Sequence, residues 1–161
     1  MLPQLDATDI GILQLLQFDA RLTNKEIADK LGKSINPVYE RIRRLEREGY
    51  IQRYVALVDR NKIDKSLVAF TNVQLKEHSH VMLKDFERSI VNFEEVMECH
   101  HMTGMYDYLI KIVVRDMTAY QDFIVNKLAR LPNIGTVQSG FVMTEIKHET
   151  AYALHSPVKK P

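Results

Sequence analysis

The sequence predicts an α+β protein built from two modules, a helix-turn-helix of three short helices and a ferredoxin-like βαββαβ module. Two observations support this prediction. Helix start and stop signals follow one another closely in the N-terminal third, and beyond Leu67 the apolar pattern alternates between strand and helix periods. A chain of 161 residues is long enough for two small domains, whose burial is often completed by partner subunits.

The first two helices are marked by their N-terminal capping residues. Asp6 is a good N-cap, and Asp9 favours the positive end of the helix dipole. Thr23 and Glu26 have the spacing of a capping box, in which each side chain accepts a hydrogen bond from the backbone of the other residue. Gly32 is placed to adopt the left-handed conformation that ends the second helix.

The third helix is predicted to begin at Ser34 or Asn36, with Pro37 in its first turn and Gly49 at its end. Its apolar positions are Val38, Ile42 and Leu45. Positive charge is concentrated here, because residues 33–53 carry six basic and three acidic side chains, whereas residues 61–161 carry twelve of each. Two short helices joined by a glycine turn, the second one basic, indicate a helix-turn-helix that binds double-stranded DNA.

The outward face of the third helix supplies the candidate DNA-binding residues. Those expected to address base edges are Ser34, Asn36, Tyr39, Glu40 and Arg43, with Pro37 beside them. Those expected to contact phosphates are Arg41, Arg44 and Arg47. The alternative is an ordinary solvated helix face. A further alternative is a sensor protein whose helix-turn-helix no longer binds DNA. The cluster Arg43, Arg44 and Arg47 argues against it, because the fold has no evident need for these charges.

The segment from Tyr50 to Val58 is rich in β-branched and aromatic residues, which predicts a strand that is either a wing or a link between the modules. Residues 59–62 resemble a turn. We therefore expect a DNA-binding domain with its linking strand over residues 1–59 and a linker over 60–66. A ferredoxin-like domain is expected over 67–152, followed by a C-terminal tail over 153–161.

The second module is predicted to have the order strand, helix, strand, strand, helix, strand. Its strands are expected at Leu67–Leu75, Val96–Met102, Tyr108–Val114 and Val137–Ile146. Its helices are indicated by the apolar residues Leu83, Phe86 and Ile90, and by Tyr120, Phe123, Ile124, Leu128 and Leu131. Since the helices of such a module cover one sheet face, pairing with a second copy of the chain is expected to bury the other.

Several stretches of the sequence resemble the Lrp/AsnC family, the leucine-responsive and asparagine-responsive transcription regulators. The matching stretches are Leu5-Asp6-x-x-Asp9-x-x-Ile12-Leu13, residues 19–28, residues 34–51, Glu98-Cys99, residues 103–109 and Lys147. The resemblance covers residues 5 to about 152. It implies a winged helix-turn-helix fused to an amino-acid-sensing domain, in a transcription regulator that forms dimers and octamers and binds operator DNA.

In proteins of this family, as the resemblance implies, the effector is an amino acid held between subunits near a Gly-x-Tyr-Asp turn. One wall of the effector site would be Gly104, Met105, Tyr106 and Asp107, and a second wall would be Thr136, Gln138 and Ser139. An α-amino acid needs an anion for its ammonium group and amides or hydroxyls for its carboxylate. Asp107 and the Gly104 turn have that chemistry, although Asp107 is equally expected to stabilise its own turn.

Three methionines, Met102, Met105 and Met143, could give a soft apolar lining that suits a leucine or methionine side chain, but methionine is more often core filler. Cys99, His100 and His101 suggest a metal sensor with help from His78, His80 or His148, but consecutive strand residues point to opposite faces. We therefore expect no metal and no cofactor other than the effector.

Other functional classes lack their sequence signatures. The chain has no phosphate-binding glycine loop, nucleophile elbow or His-Glu-x-x-His pattern, so an enzyme is not expected. It has neither an apolar run of about 18 residues nor the pattern of a signal peptide, and its one cysteine fits a reducing compartment. The sequence therefore predicts a cytoplasmic, nucleoid-associated protein with no membrane contact.

Overall fold

The structure is a computed structural model in which residues 5–155 are described. Within that range the chain forms two compact units. The first contains the residues up to Leu57 together with the segment that begins at Lys147, and the second runs from Val58 to Ile146. None of the helices in the described range is both long and apolar enough to span a bilayer.

The first unit begins with three helices, α1 (Ala7–Phe18), α2 (Asn24–Leu31) and α3 (Ile35–Arg47). Thr23 forms the expected capping box, and Asp6, expected only as an N-cap, forms a second one, in which its carboxylate accepts from the Asp9 amide at 2.9 Å. Since these side chains satisfy amides that a helix leaves unpaired, the helices start where the sequence indicates. Gly32 ends α2 with a φ of 62°, the left-handed conformation that its lack of a Cβ permits.

The core of the first unit is a small apolar cluster between the three helices. Its buried members are Ile12, Leu13, Ile27, Ala28, Val38, Ile42 and Leu45. Val38, Ile42 and Leu45 of α3 are all buried, so Tyr39, Glu40 and Arg43 on the other side of the helix are turned toward solvent. The third helix is therefore fixed by one apolar stripe and presents the opposite stripe outward.

No strand forms between Tyr50 and Val58, contrary to the prediction for this segment. The backbone has no ladder of hydrogen bonds with another segment of the described chain. Tyr54, Val55, Leu57 and Val58 are between 47% and 71% exposed. A strand requires a hydrogen-bonded neighbour, which β-branched composition alone does not provide.

The second unit has the predicted ferredoxin-like order. Its four strands are β1 (Leu67–Leu75), β2 (Val96–His101), β3 (Tyr108–Val114) and β4 (Ile134–Phe141). The antiparallel sheet has the order β2-β3-β1-β4. The helices are α4 (His80–Ile90) and α5 (Met117–Asp122), with a short 3-10 helix at Arg60–Ile63 before the sheet.

The helices cover one face of the sheet, as expected. That face contributes Ala69, Val73 and Leu75 from β1 and Tyr108, Ile110, Ile112 and Val114 from β3, all buried. The opposite face is more open, with Phe70 at 38% exposure and Leu109 half-buried. Phe70 pairs with Gly140 of β4, which adds no side chain beside it.

The last strand differs from its predicted span, Val137–Ile146. It begins at Ile134, which pairs with Leu75, and ends at Phe141, which pairs with Ala69 near the start of β1. After one further hydrogen bond, from the Val142 amide to the Val68 carbonyl, β4 reaches the N-terminal end of β1 and the pairing stops. The limits of β4 are thus set by the length of its neighbour rather than by its own composition.

The helix after β3 is also less regular than predicted. It continues from α5 as a π-helical turn at Phe123–Lys127 and a 3-10 turn at Leu128–Arg130. The wider and narrower turns keep Phe123 and Leu128 buried against the sheet.

The predicted domain limits stay predictions, but the compact units differ from them at both boundaries. The second unit begins at Val58, so it includes the last residues of the predicted first domain and the predicted linker. Residues 147–152, assigned by the sequence to the second domain, pack with the first unit. The contacts include hydrogen bonds in which Gln14 and Gln17 of α1 donate to the Leu154 and Tyr152 carbonyls and Gln17 accepts from the Tyr152 amide.

Candidate DNA-binding and effector sites

The outward face of α3 is formed by polar and basic side chains. The exposed residues are Ser34, Asn36, Pro37, Tyr39, Glu40, Arg43 and Arg47. Neither Arg43 nor Arg47 has an ion pair with a residue in the described range. These two guanidinium groups are therefore available to an anionic partner.

Arg41 and Arg44 are placed differently, because both bind a buried carboxylate. Asp9 of α1 is 1% exposed, and its two oxygens accept from Arg41 Nη1 at 2.8 Å and from Arg44 Nη2 at 2.6 Å. Arg41 also reaches Asp6 at 2.6 Å. The expectation that Arg44 has no structural role was wrong, because the ion pair joins α1 to α3. The contact of Arg41 and Arg44 with phosphate stays a prediction.

The ionic cluster shifts the pKa of two of its members, Asp6 and Arg41. The hydrogen bond from the Asp9 amide, followed by that from Arg41, holds the pKa of the Asp6 carboxyl below its ordinary value. The hydrogen bonds to Asp6 and Asp9 hold the pKa of Arg41 above its ordinary value. Asp6 and Arg41 are thus both stabilised in their charged forms.

A groove beside the α3 face was not foreseen from the sequence. Its volume is about 280 Å³, and its polar rim includes Tyr39, Arg43, Glu46 and Tyr54. The Tyr54 hydroxyl donates to Glu46 Oε1 at 2.9 Å. Burial, then the Glu46 carboxylate, raises the pKa of Tyr54 to about 12, so its hydroxyl remains a donor at neutral pH.

The turn between β2 and β3 contains the predicted first wall of the effector site. Gly104 has a φ of 117°, a backbone conformation that residues with a side chain rarely adopt. The Asp107 amide donates to the Val73 carbonyl at 2.9 Å, and the Asp107 carbonyl accepts from Met102 at 2.8 Å. The turn is therefore fixed to β1 through backbone as well as side-chain bonds.

The Asp107 carboxylate uses only one of its oxygens within the described chain. Oδ2 accepts from the Leu75 amide at 2.7 Å and lies 3.0 Å from His78 Nε2. Its structural contact is thus with a neighbouring strand rather than with its own turn. Oδ1 has no hydrogen bond from residues 5–155, and the side chain is 17% exposed. Asp107 is consequently oriented, yet retains an acceptor for a ligand.

His78 joins this site without having been assigned to it from the sequence. It lies in the loop before α4, where the backbone of Glu77 is held by the Asn133 side chain at 2.8 and 2.7 Å. Asn133 adopts a φ of 68°, so it turns back toward this loop at the start of β4. No local sequence signal could reveal a contact between residues 78 and 107.

The structure divides the predicted second wall between two sheet faces. The Gln138 side chain accepts a short hydrogen bond from the Tyr106 hydroxyl, and Thr136 is two residues away on the same strand face. Ser139 points to the helix-covered face, where its hydroxyl bonds to Thr71 and Tyr120. Since strand residues alternate, Ser139 cannot share a surface with Gln138. Tyr106 and Gln138 thus remain in the candidate site, with Thr136 beside them, and Ser139 does not.

The three methionines proposed as a lining are all exposed, Met102 by 45%, Met105 by 76% and Met143 by 98%. None is filler in a core of the described chain. Met102 and Met105 adjoin the turn, whereas Met143 follows Phe141, which pairs with Ala69 near the start of β1 and away from the Asp107 contacts with Val73 and Leu75. Met143 is therefore not part of this lining, and the other two thioethers would surround an apolar ligand only if another surface covered them.

Cys99 and His101 face the helices, whereas His100 lies near Glu98, 3.3 Å from its Oε2. His101 stacks on Tyr108. Across residues 5–155, no group of three or more histidine, cysteine or acidic side chains is arranged to hold a metal ion. Burial raises the pKa of Cys99 to about 11 and keeps it a thiol at neutral pH.

Both modules match known protein families. Residues 68–152 match the family model described as the Lrp/AsnC ligand binding domain, and residues 5–52 match a winged helix-turn-helix DNA-binding domain. These matches confirm the predicted fold class.

Individual relatives extend over nearly the whole chain. The Bkd operon transcriptional regulator of Pseudomonas aeruginosa is 37% identical over 148 residues, which cover 92% of this chain and 97% of that relative. The leucine-responsive regulatory protein of Escherichia coli is 39% identical over 143 residues, covering 89% and 87%. A Neisseria meningitidis transcriptional regulator, solved as a complex with L-Met, has a TM-score of 0.89 at 35% identity and covers 93% and 97%.

Proposed function

This chain belongs to the Lrp/AsnC family of DNA-binding transcription regulators, and we propose that its α3 face reads operator DNA under the control of an amino acid bound at the Gly104–Asp107 turn. It is a regulator rather than an enzyme, as the sequence predicts. The observation that carries the proposal is the exposed face of α3, on which Arg43 and Arg47 have no ion pair in the described chain.

On DNA, the N-terminal part of α3 would enter the major groove. Asn36, Tyr39, Glu40 and Arg43 would address base edges, as would Ser34 at the N-cap, with Pro37 beside them, while Arg47 would contact a phosphate. Arg41 and Arg44 would reinforce phosphate binding from the flank, since they are 31% and 35% exposed despite their bonds to Asp9. The buried Asp9 carboxylate would hold α3 in place before DNA binds.

The effector would be an amino acid whose ammonium group binds Asp107 Oδ1, the oxygen without a hydrogen bond in residues 5–155. Tyr106 and Gln138 would contact the polar end of the ligand, with Thr136 at the edge, and Met102 and Met105 would face its side chain. The L-Met bound to the Neisseria relative supports an apolar amino acid as the effector of this chain. No other cofactor is proposed.

The effector site would be completed by a second subunit, because its methionines are open to solvent in the single chain. The open sheet face around Phe70 and Leu109 is suited to dimer formation, and dimers would assemble further into octamers, as the family resemblance implies. A protein with this activity would work in the cytoplasm at the nucleoid.

The proposal is tested by selecting binding sites from random double-stranded DNA with the full-length chain. The selected site should bind more tightly than scrambled DNA, and the logarithm of its binding constant should fall linearly with log salt, with a slope of about −0.9 per phosphate contacted. L-Met and L-Leu should change operator affinity, while a chelator should not. Failure to enrich any sequence would contradict the DNA-binding proposal, and an affinity unaffected by all twenty amino acids would contradict the effector proposal.

A further inference from the structure

The segment after Ile146 lies with the first compact unit, although the family match assigns residues up to 152 to the ligand-binding domain. We call its described end, residues 151–155, the strap. Gln17 of α1 contacts Tyr152 twice, since its Oε1 accepts from the Tyr152 amide at 2.7 Å and its Nε2 donates to the Tyr152 carbonyl at 3.2 Å. Gln14 Nε2 donates to the Leu154 carbonyl at 3.0 Å.

These contacts involve the backbone of the strap rather than its tyrosine side chain. The two-point contact of Gln17 is the pattern by which one strand pairs with another, with a side-chain amide in place of a peptide group. The Tyr152 side chain is 80% exposed. Leu154 supplies the apolar contact, half-buried against the core of the first unit.

Gln14 and Gln17 are three residues apart, so they lie on the same face of α1. The same helix contributes Ile12 and Leu13 to the core, and Asp9 to the ion pairs with α3. A segment bound along α1 therefore contacts the helix to which α3 is joined by ion pairs.

We propose that the outer face of α1 is a peptide-docking site whose occupant is the chain's own residues 151–155, and that this occupant is a structural part of the DNA-binding unit. The site recognises backbone at position 152 and an apolar side chain at position 154. The DNA-binding unit is consequently built from the three helices together with residues 151–155.

The test is hydrogen exchange on the full-length chain, followed in overlapping peptides that cover α1 and the strap. In the parent, the Tyr152 amide should be protected although it belongs to no strand. In Gln17→Ala it should exchange about ten times faster, because a net hydrogen bond is worth about one power of ten in such an equilibrium. Peptides of α1 should lose protection in the Gln14→Ala/Gln17→Ala double variant, whereas those of β3 should not change.

Three single variants separate backbone from side-chain recognition. Leu154→Ala should release the strap, Tyr152→Ala should leave its protection unchanged, and Gln52→Ala is the control for loss of an exposed glutamine in the same unit. A Tyr152 amide that exchanges at the same rate in parent and Gln17→Ala would overturn the proposal. A Tyr152→Ala variant as damaging as Leu154→Ala would overturn backbone recognition.

Discussion

Asp9 and Asp107 are two carboxylates placed in different units, and they use their oxygens differently. Asp9 is 1% exposed and has both oxygens engaged by Arg41, Arg44 and the Asp6 amide. Asp107 is 17% exposed and engages one oxygen, with the Leu75 amide and His78. An acid whose acceptors are all occupied holds two helices together, whereas an acid with an unoccupied oxygen can also bind a ligand.

The strongest test of this difference is the removal of Asp9. Asp9→Ala leaves two arginines facing each other without their shared anion, and should lower the free energy of unfolding by about 3 kcal/mol. Urea unfolding of the full chain measures it. Asp29→Ala, an exposed acid on α2, is the control and should stay within about 0.5 kcal/mol of the parent. Equal midpoints for the two variants would mean that the ion pairs contribute nothing.

The two neighbouring arginines of α3 should separate DNA binding from stability. Arg43→Ala should weaken operator binding by about 2 kcal/mol with no change in unfolding, if Arg43 contacts a base. Arg44→Ala should lower the free energy of unfolding by about 1–2 kcal/mol, because it leaves Asp9 short of a donor. The readouts are fluorescence anisotropy with the selected operator and urea unfolding of each variant. The reverse assignment would contradict the roles given to both residues.

At the effector site, Gln138→Ala should reduce effector affinity by about 1 kcal/mol through loss of one hydrogen bond, without affecting operator binding in the absence of effector. Asp107→Ala should abolish effector binding and also lower stability, since the Leu75 amide loses its acceptor. Calorimetry with L-Met and L-Leu measures both. The matched control is Ser139→Ala, which faces the helices and should leave affinity nearly unchanged. A Ser139 variant that loses the effector would contradict the division of the second wall.

The smallest effect concerns Asp6 and its response to pH. Its pKa is lower in the folded protein than in the unfolded chain, so its stabilisation is present above the unfolded value of 3.8 and is lost as pH falls through the folded pKa. Asp6→Asn keeps a good N-cap but loses the charge. Thermal unfolding midpoints of parent and variant should therefore differ at pH 7 and converge below pH 3.8. A difference in midpoint that stays constant over this pH range would show that the charge of Asp6 does not contribute to the stability of the folded protein.

Local features of the sequence predicted the local features of the fold. Asp6, Thr23 and Gly32 mark helix ends because a cap acts on backbone groups within a few residues. The span of β1 is as predicted, because alternation over nine residues reflects burial of one strand face. The exposed side of α3 followed from helix periodicity in the same way.

Contacts between distant residues were not predictable. The pairing of Asp9 with Arg44 and the contact of His78 with Asp107 depend on how separate segments pack. The limits of β4 depend on β1, and a strand at residues 50–58 would have needed a neighbour that the described chain does not provide. In the effector site the resemblance supplied the residues, and strand alternation then separated Ser139 from Gln138.

The strap has a consequence for the synthesis of the chain. Gln17 and Tyr152 are separated by 135 positions in the sequence, so the N-terminal helices emerge from the ribosome long before their last contact is available. Closing so long a loop is among the slower steps of folding. A nascent chain would therefore complete its DNA-binding unit only after the sheet has been translated. A chain terminated before residue 151 would contain the three helices without the strap that contacts α1.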